Sequence, residues 1–271
     1  MTKRILITGA TGHLGSRIAV RAATGWSAVG TCFSSPDRQG NEWLDVRDPA
    51  AVRDLIERVR PDAVIHTATG RDDWRVMADG AAHVAVATAA MNVRLIHVSS
   101  DAIFSGDAVD YDESALPDPV YRYGAAKAAA ETAVLAVCPD AAVVRTSLIL
   151  GGTRGQHETL TRDLLAGRRR GALFTDMIRK PVHVDDLADA LLELAAGDYR
   201  GVLNVTGPDA IDRYELGVLT ARREGLDPSR LPAGTIAGSG LRLPTDVRLR
   251  TDRAVSLLRT RLRGVREFLA G

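Results

Sequence analysis

Gly9-Ala10-Thr11-Gly12-His13-Leu14-Gly15 is the stretch that decides the fold of this chain. It follows the short apolar segment Arg4 to Thr8 and opens an amphipathic segment. Where a strand turns through glycines into a helix, backbone N–H groups can reach the pyrophosphate of a dinucleotide with no side chain in the way. The residues predicted to contact that cofactor are Gly9, Thr11, Gly12, His13, Leu14 and Gly15.

Beyond this stretch, short β-branched runs alternate with amphipathic segments. The strand candidates are Arg4 to Thr8, Ser27 to Phe33, Ala63 to Thr67, Arg94 to Ser99 and Ala142 to Thr146. Helical patterns begin near Leu14, Ala50, Trp74 and Tyr121. Strict alternation favours a parallel sheet with helices on both faces. We therefore predict an α/β fold, a Rossmann-type doubly wound parallel sheet with a smaller C-terminal substrate lobe.

The pattern changes after Gly151, where loop-rich stretches replace the alternation. The sequence predicts a dinucleotide-binding domain over residues 1–151, with 181–207 packing back on it. Residues 152–180 and 208–271 form the predicted substrate-binding lobe. A helix in this lobe is predicted to begin at Asp212-Arg213-Tyr214-Glu215, because an aspartate followed three residues later by a glutamate has the form of a capping box.

Length and charge limit the classes of partner. The chain has 271 residues, 45% of them hydrophobic, which is enough to bury a substantial core. Its 35 basic and 34 acidic residues balance, so the overall charge favours neither a nucleic acid nor an anionic membrane as a partner. The apolar segment after Arg4 is too short for a signal peptide or a membrane span. We therefore expect a cytoplasmic protein that acts on a small molecule.

Histidines and cysteines form no metal-binding pattern. Cys32 and Cys138 are the only cysteines, and their separation suggests neither a disulfide nor a zinc site. His66 and His97 lie within strand patterns, where a hydrogen-bonded place in the core is more common than metal ligation. No metal site is predicted.

The end of the second strand candidate bears on the choice of cofactor. It ends in Cys32-Phe33-Ser34-Ser35, without the carboxylate that binds the ribose 2′-hydroxyl of NAD. Ser34, Ser35 and Arg38 are therefore predicted to receive a 2′-phosphate, which favours NADP (NADPH) over NAD. Asp37 in the same loop opposes this preference, and a plain solvated turn is the alternative for each of these residues.

Tyr123 and Lys127 lie four residues apart at the start of a predicted helix and so share one face. A nearby ammonium makes a phenolate easier to form, so the pair can exchange a proton with a substrate oxygen and hold the nicotinamide ribose. Ser100 follows the fourth strand candidate, where its hydroxyl can orient a carbonyl at the ligand crevice. A serine there is more often a turn former, but its place between the glycine stretch and the Tyr–Lys pair favours a catalytic set.

Together these motifs resemble the extended short-chain dehydrogenase/reductase family, most closely its dTDP-4-dehydrorhamnose reductase branch. The resemblance covers nearly the whole chain. The stretches that carry it are Gly9 to Gly15, Ser99 to Phe104, Tyr123 to Lys127, Val144 to Ser147, Pro181 to Ala188 and Gly201 to Gly207. It implies that Ser100, Tyr123 and Lys127 form a Ser–Tyr–Lys catalytic set, and that the activity is reduction of a keto-sugar with NADPH or NADH.

Some positions extend the resemblance and others depart from it. Asp45, Val46 and Ala68 complete the predicted cofactor-binding set, which also includes Tyr123 and Lys127. Ala102 and Leu148 stand where the rhamnose enzymes carry aromatic residues on the substrate side, and Asp79 stands where they carry an asparagine thought to support a proton relay. The departures are compatible with reductase chemistry but put rhamnose specificity in doubt.

The predicted function is NAD(P)H-dependent reduction of a keto-sugar linked to a nucleotide. Two alternatives remain open at this point. One is a non-catalytic NADP-binding regulatory subunit, as in methionine adenosyltransferase, whose regulatory subunit resembles the same branch. The other is an epimerase or dehydratase with tightly bound NAD.

Two arginine-rich segments have open interpretations. Arg168 to Arg170 could meet a substrate diphosphate, but a charge run between glycines is usually a solvated surface. The C-terminal segment around Arg259 to Arg266 is interpreted as an amphipathic edge or a contact in a homodimer.

Overall fold

The structure of the protein, a computed structural model, describes residues 2–33, 40–70, 73–152 and 155–270. The strands are β1 (Arg4–Thr8), β2 (Ser27–Cys32), β3 (Glu42–Trp43), β4 (Ala63–His66), β5 (Arg94–Ser100), β6 (Val109–Tyr111), β7 (Ala142–Thr146), β8 (Ile149–Leu150), β9 (Leu173–Phe174), β10 (Ile178–Arg179), β11 (Val182–His183), β12 (Gly201–Asn204), β13 (Ile211–Asp212), β14 (Ala233–Gly234) and β15 (Val247–Leu249).

Helices connect these strands. The α-helices are α1 (His13–Ala22), α2 (Pro49–Val59), α3 (Gly80–Ala90), α4 (Arg122–Val137), α5 (Gln156–Leu165), α6 (Val184–Ala196), α7 (Arg213–Arg223), α8 (Ile236–Ser239), α9 (Asp252–Leu257) and α10 (Val265–Phe268). A π-helix at Arg75–Asp79 precedes α3, and short 3-10 helices occupy Asp101–Ile103 and Pro228–Arg230. Within the described ranges, no helix has the length and apolar character needed to cross a membrane.

Seven parallel strands form the central sheet, in the order β3-β2-β1-β4-β5-β7-β12. The chain winds outward from β1 in one direction and then restarts at β4 on the other side of β1. A crevice opens between the carboxyl ends of two such strands, and ligands of open α/β sheets bind there. The predicted α/β fold with a doubly wound parallel sheet is confirmed.

The core lies on both faces of this sheet because the strands are buried on both sides. Ile5 and Ile7 face one side, where α1 and α6 pack through residues such as Ile18 and Leu187. Leu6 faces the other side, which α2, α3 and α4 cover. Apolar side chains dominate both faces over the strand centres, which explains the near-continuous hydrophobic runs in the sequence.

Several element boundaries differ from the sequence prediction by small amounts. The second strand ends at Cys32 rather than Phe33. The helical pattern that begins near Trp74 opens as a π-helix before α3. Asp212 caps α7 by accepting a hydrogen bond from the Glu215 backbone N–H at 2.8 Å, so that predicted helix start is confirmed.

The C-terminal elements add short two-stranded sheets, which pair β8 with β11, β9 with β14, β10 with β13 and β6 with β15. Leu150, Ile211 and Phe268 belong to a small apolar cluster separate from the central core. Ala254 and Leu258, by contrast, pack into the core of the central sheet. The predicted division into two domains stays a prediction.

A buried ion pair joins α4 to the sheet. Arg145 on β7 donates to both carboxylate oxygens of Glu131 on α4, and both side chains are only 3% exposed. The Ser99 hydroxyl donates to the same carboxylate at 2.9 Å, and the Arg145 guanidinium lies over the Phe104 ring at 5.1 Å. Because Glu131 on α4 bonds to Ser99 on β5 and to Arg145 on β7, these contacts fix the position of α4 on the two strands.

Substitution of Glu131 by Gln removes one charge and leaves the Arg145 guanidinium buried without a counter-charge. We expect the free energy of unfolding to fall by about 3–5 kcal/mol, measured by urea titration. Glu42→Gln, which removes the carboxylate from an exposed pair with Arg58, is the matched control and should change it by about 0–1 kcal/mol. Equal losses for the two variants would contradict the structural role of the Glu131 pair.

Candidate active site

The glycine stretch forms a tight turn between β1 and α1. Gly9 has φ +72°, and a Cβ atom there would lie 2.9 Å from the Ala68 Cα. A Cβ atom on Gly15 would lie 2.3 Å from the Gly9 carbonyl oxygen. Both positions therefore require glycine, and α1 starts directly at the edge of the sheet.

The N-terminus of α1 is open to a ligand. Gly12 is its N-cap residue, and no side chain of the described residues caps the helix, whereas Asp48 caps α2 and Asp212 caps α7. An uncapped helix N-terminus on a glycine turn suits a pyrophosphate, since the first N–H groups of a helix lack partners within it. The side chain of Leu14 is buried in the core, so it can meet a cofactor only through its backbone.

Ala68 lies at the crevice between β1 and β4. Its backbone N–H and that of Thr67 donate to the Thr8 hydroxyl at 3.3 and 3.2 Å. The Thr67 hydroxyl donates to the Thr8 carbonyl at 2.7 Å. These bonds hold the segment after β4 against the glycine turn, as the packing of Ala68 on Gly9 also requires.

Asp45 and Val46 follow β3, beyond the end of β2. Arg47 holds both carboxylate oxygens of Asp45, at 2.9 and 2.8 Å, and lies over the exposed Phe33 ring at 4.8 Å. The Val46 side chain is buried, and its carbonyl accepts a hydrogen bond from His83 Nδ1 at 2.9 Å. The predicted 2′-phosphate residues, Ser34, Ser35 and Arg38, and Asp37 beside them, lie outside the described residues.

Tyr123 and Ser100 meet at the carboxyl end of β5. Ser100 is the last residue of that strand, and Tyr123 lies in the first turn of α4. Gly124 allows the close approach, because a Cβ atom there would lie 2.1 Å from the Ala102 carbonyl oxygen. Gly124 was not among the residues predicted from the sequence. A glycine directly after Tyr123 in a predicted helix was the feature that could have indicated a close backbone contact there.

The electrostatics of this corner keep Tyr123 protonated. Burial raises the pKa of its phenol, and a hydrogen bond with the Ser100 hydroxyl lowers it by less. A neutral phenol is the form that donates a proton, so Tyr123 is in the state that an acid requires.

Lys127 lies one turn further along α4, buried beneath the site. Its ammonium donates to the Val98 carbonyl at 2.6 Å. Burial lowers the pKa of Lys127 to about 8, and the negative charge of Glu131 partly offsets this effect. Near pH 7 the ammonium form of Lys127 therefore predominates. On α4, Lys127 lies one turn after Tyr123 and one turn before Glu131.

Asp101, which lies within the stretch Ser99 to Phe104, is a buried acid. It accepts a hydrogen bond from the Ser147 hydroxyl at 2.5 Å, and Arg179 lies 3.6 Å from it. Burial raises the pKa of Asp101, while Arg179 and Ser147 lower it by less. Burial and Asp101 also raise the pKa of Tyr121, whose ring centroid lies 6.1 Å from that of Tyr123.

The buried histidines occupy the core beside Lys127. His66 and His97 stack at 5.4 Å between ring centroids, and His66 Nδ1 lies 2.7 Å from the Thr8 hydroxyl. Burial and the charge of Lys127 lower the pKa of His66 to about 3 and that of His97 well below its usual range. Both rings are therefore neutral. Across the described ranges, no three His, Cys, Asp or Glu side chains are grouped to hold a metal ion.

Two further residue groups stand apart from this corner. Asp79 is half-buried at the end of the π-helix before α3. Arg168 to Arg170 are exposed, and Arg168 pairs with Asp163 at 2.7 Å. The exposure of these three arginines fits the interpretation of this run as a solvated surface.

Comparison with known proteins identifies relatives of this fold and this site. The chain matches the family described as "RmlD substrate binding domain" over residues 3–270. It is 35% identical over 247 residues to a dTDP-4-dehydrorhamnose reductase of Mycobacterium tuberculosis, covering 85% of this chain and 78% of that one. It is 30% identical over 250 residues to the methionine adenosyltransferase 2 subunit beta of Xenopus laevis, covering 85% and 75%.

A solved structure shares the whole fold. The dTDP-4-dehydrorhamnose reductase of Bacillus anthracis, in complex with NADP, superposes with a TM-score of 0.87 at 24% identity, covering 100% of this chain and 98% of that one. The family match and the identity over most of both chains agree with the resemblance inferred from the glycine stretch Gly9 to Gly15 and from the pair Tyr123 and Lys127. The predicted resemblance is confirmed: the chain belongs to the RmlD substrate binding domain family, a branch of the extended short-chain dehydrogenase/reductases.

Proposed function

We propose that this protein is an NADPH-dependent reductase that converts the keto group of a nucleotide-linked sugar into an alcohol. The observation that carries the proposal is the hydrogen bond between Ser100 and Tyr123 at the carboxyl end of β5, with Lys127 one helical turn further along α4. This end of β5 lies at the same edge of the parallel sheet as the glycine turn after β1. Relatives named as reductases of dTDP-linked keto-sugars support this reaction class.

The catalytic corner divides the work among three side chains. Ser100 donates a hydrogen bond to the substrate carbonyl and polarises it. Tyr123, held protonated by burial, delivers its proton to the same oxygen as negative charge develops there. Lys127 stabilises the phenolate that remains and binds the ribose of the cofactor.

A reduced nicotinamide cofactor, when bound, supplies the hydride to the carbonyl carbon. The residues of the chain fit it, since the glycine turn has no room for side chains and the N-terminus of α1 has no side-chain cap among the described residues. Asp45, Val46 and Ala68 complete the binding surface on either side of β1. Lys127 keeps the ribose oriented toward Tyr123.

Cofactor choice and assembly are parts of the same proposal. The cofactor is NADP rather than NAD, because Cys32 and Phe33 at the end of β2 offer no carboxylate to repel a 2′-phosphate. Ser34, Ser35 and Arg38 receive that phosphate. The C-terminal segment around Arg259 to Arg266 is the candidate contact in a homodimer.

A second candidate function is a regulatory subunit, favoured by the similarity to the methionine adenosyltransferase 2 subunit beta. Retention of Ser100, Tyr123 and Lys127 argues against it. An epimerase would carry tightly bound NAD⁺ through purification.

The deciding experiment is NADPH oxidation with a panel of nucleotide-linked keto-sugars. Turnover supports the reductase, and NADP binding without turnover on any sugar supports the regulatory subunit.

Replacing Tyr123 by Phe removes the proton donor while leaving the ring to pack. We expect turnover to fall by at least about a hundredfold with the Kd for NADPH nearly unchanged. Tyr214→Phe, on α7, is the control and should keep the parent rate. Parent-like turnover of the Tyr123 variant would mean that another group is the acid.

Replacing Lys127 by Met should weaken both turnover and NADPH affinity, because one ammonium serves the phenolate and the ribose. Since the pKa of Lys127 is about 8, the parent should also lose affinity as the pH rises from 7 to 9, when the ammonium loses its proton. The variant should show no such loss. Fluorescence titration of NADPH at each pH measures this, with the exposed Lys3→Met as control; an unchanged Kd at pH 7 would disprove the ribose role.

Cofactor preference gives a further prediction. A charge-assisted contact from Arg38 to the 2′-phosphate should make NADPH bind roughly ten- to a hundredfold more tightly than NADH. Asp37 acts in the opposite direction. Titration of both reduced cofactors into the parent and into Arg38→Ala measures the preference. Equal affinities in the parent, or a preference that the substitution leaves intact, would contradict the assignment.

A further inference from the structure

Arg213, the first residue of α7, is a buried arginine for which the described residues supply no ion pair within 4 Å. Only 7% of the residue is exposed. Its Nη1 atom is buried and has no hydrogen-bond partner among the described residues. Burial and, to a smaller extent, the positive charge of Arg179 lower the pKa of this guanidinium to about 10. An unpaired charge inside a protein is strongly unfavourable, so this one needs a counter-charge.

Two other deeply buried arginines are paired in full. Arg145 bonds to the Glu131 carboxylate. Arg179 lies 3.6 Å from Asp101 and donates to the carbonyls of Pro244 and Thr245 at 2.8 and 2.9 Å. Among these three deeply buried arginines of the described residues, Arg213 is thus the exception.

Glu158 is the one carboxylate that attracts Arg213 electrostatically. Its Oε1 accepts a hydrogen bond from the Gly151 backbone at 2.6 Å, and its Oε2 has no partner in the described structure. Burial raises the pKa of Glu158. Glu158, in the first turn of α5, therefore bonds to the Gly151 backbone and not to the guanidinium.

The position of Arg213 links the two ends of the proposed active site. Its backbone N–H donates to the Met177 carbonyl at 3.1 Å, which places it beside Arg179, and Arg179 reaches Asp101 behind the catalytic serine. On the other side is His157. Burial lowers the pKa of His157 most, and the charges of Arg213 and of His13 in the glycine turn lower it further. Arg213 is therefore within electrostatic range of Arg179 on one side and of His157 on the other.

We propose that Arg213 binds a phosphate of the nucleotide-linked substrate at the N-terminus of α7, next to the pair of β10 and β13. A guanidinium presents parallel donors that match a phosphate, and the N-terminus of the 11-residue helix α7 adds a positive dipole to it. The proposal rests on the proposed function for the identity of the ligand. The exposed arginines of Arg168 to Arg170 are not needed for this role.

The phosphate could also come from the cofactor, which carries the same chemistry. The geometry favours the substrate, because the N-terminus of α1 already serves the cofactor pyrophosphate. Arg213 is instead carried by β13 and α7 and faces Arg179 on the side of the catalytic corner. The test therefore measures both ligands.

The first measurement is the melting temperature without ligand. Arg213→Met replaces an unpaired buried charge with an apolar chain of similar length, so the melting temperature should rise, by about 5 °C. Arg222→Met, which removes an exposed charge from the same helix, should leave it within about 1 °C. A lower melting temperature for Arg213→Met would overturn the proposal, since it would mean that Arg213 is paired with Glu158 through water.

The second measurement is calorimetric titration of dTDP, UDP and NADPH into the parent and both variants. We expect the Kd for the nucleoside diphosphate that the parent binds to rise by about tenfold or more in Arg213→Met, with that for NADPH within about twofold. A loss confined to NADPH would overturn the assignment to the substrate. Unchanged affinities, or a parent that binds neither diphosphate, would overturn the site.

These outcomes are separate from those of the reductase assay. If no keto-sugar is reduced but Arg213→Met still loses nucleoside diphosphate binding, the proposed reaction fails and the phosphate site stands. If NADPH oxidation proceeds and diphosphate binding is the same in the parent and in Arg213→Met, the reductase stands and the phosphate site fails.

Discussion

The turn between β1 and α1 is the constraint on which the rest of the structure depends. Neither glycine of the turn has room for a Cβ atom, because Gly9 packs against Ala68 and Gly15 packs against the Gly9 carbonyl. This contact starts α1 at the edge of the sheet, beside the point where the strand order reverses between β1 and β4. The crevice, the open helix N-terminus and the segment at Ala68 all follow from it, because each is held against the same turn.

A second layer of constraint lies beneath α4 and is electrostatic. Glu131 and Arg145 pair inside the protein, and Lys127 lies one helical turn from Glu131 with its ammonium on the Val98 carbonyl. Burial disfavours the charged form of Lys127, whereas Glu131 favours it. The Glu131 carboxylate that holds α4 on the sheet therefore also helps to keep Lys127 protonated, so the energetics of the fold and of the proposed site are coupled.

The two sides of the proposed active site differ in how completely their charges are satisfied. On the catalytic side, Asp101 has Ser147 and Arg179 as partners. On the side of α7, Arg213 has none among the described residues for its Nη1 atom. Unsatisfied buried polar groups are rare in native proteins, and where they occur they often belong to functional sites. Asp101 and its partners thus stabilise the fold, whereas Arg213 is the residue that we assign to a ligand.

The sequence by itself determined the doubly wound sheet, the glycine turn and the set of Ser100, Tyr123 and Lys127 as candidates. Those features are local: strand and helix periodicity, glycine spacing and a four-residue offset on one helix face can all be recognised within a short window. Only the tertiary structure brought Ser147 to Asp101 across 46 residues, set Gly124 against Ala102 and buried the Arg213 Nη1 atom with no hydrogen-bond partner among the described residues. Such contacts join residues distant in the chain through packing, and packing leaves no periodic pattern in the sequence.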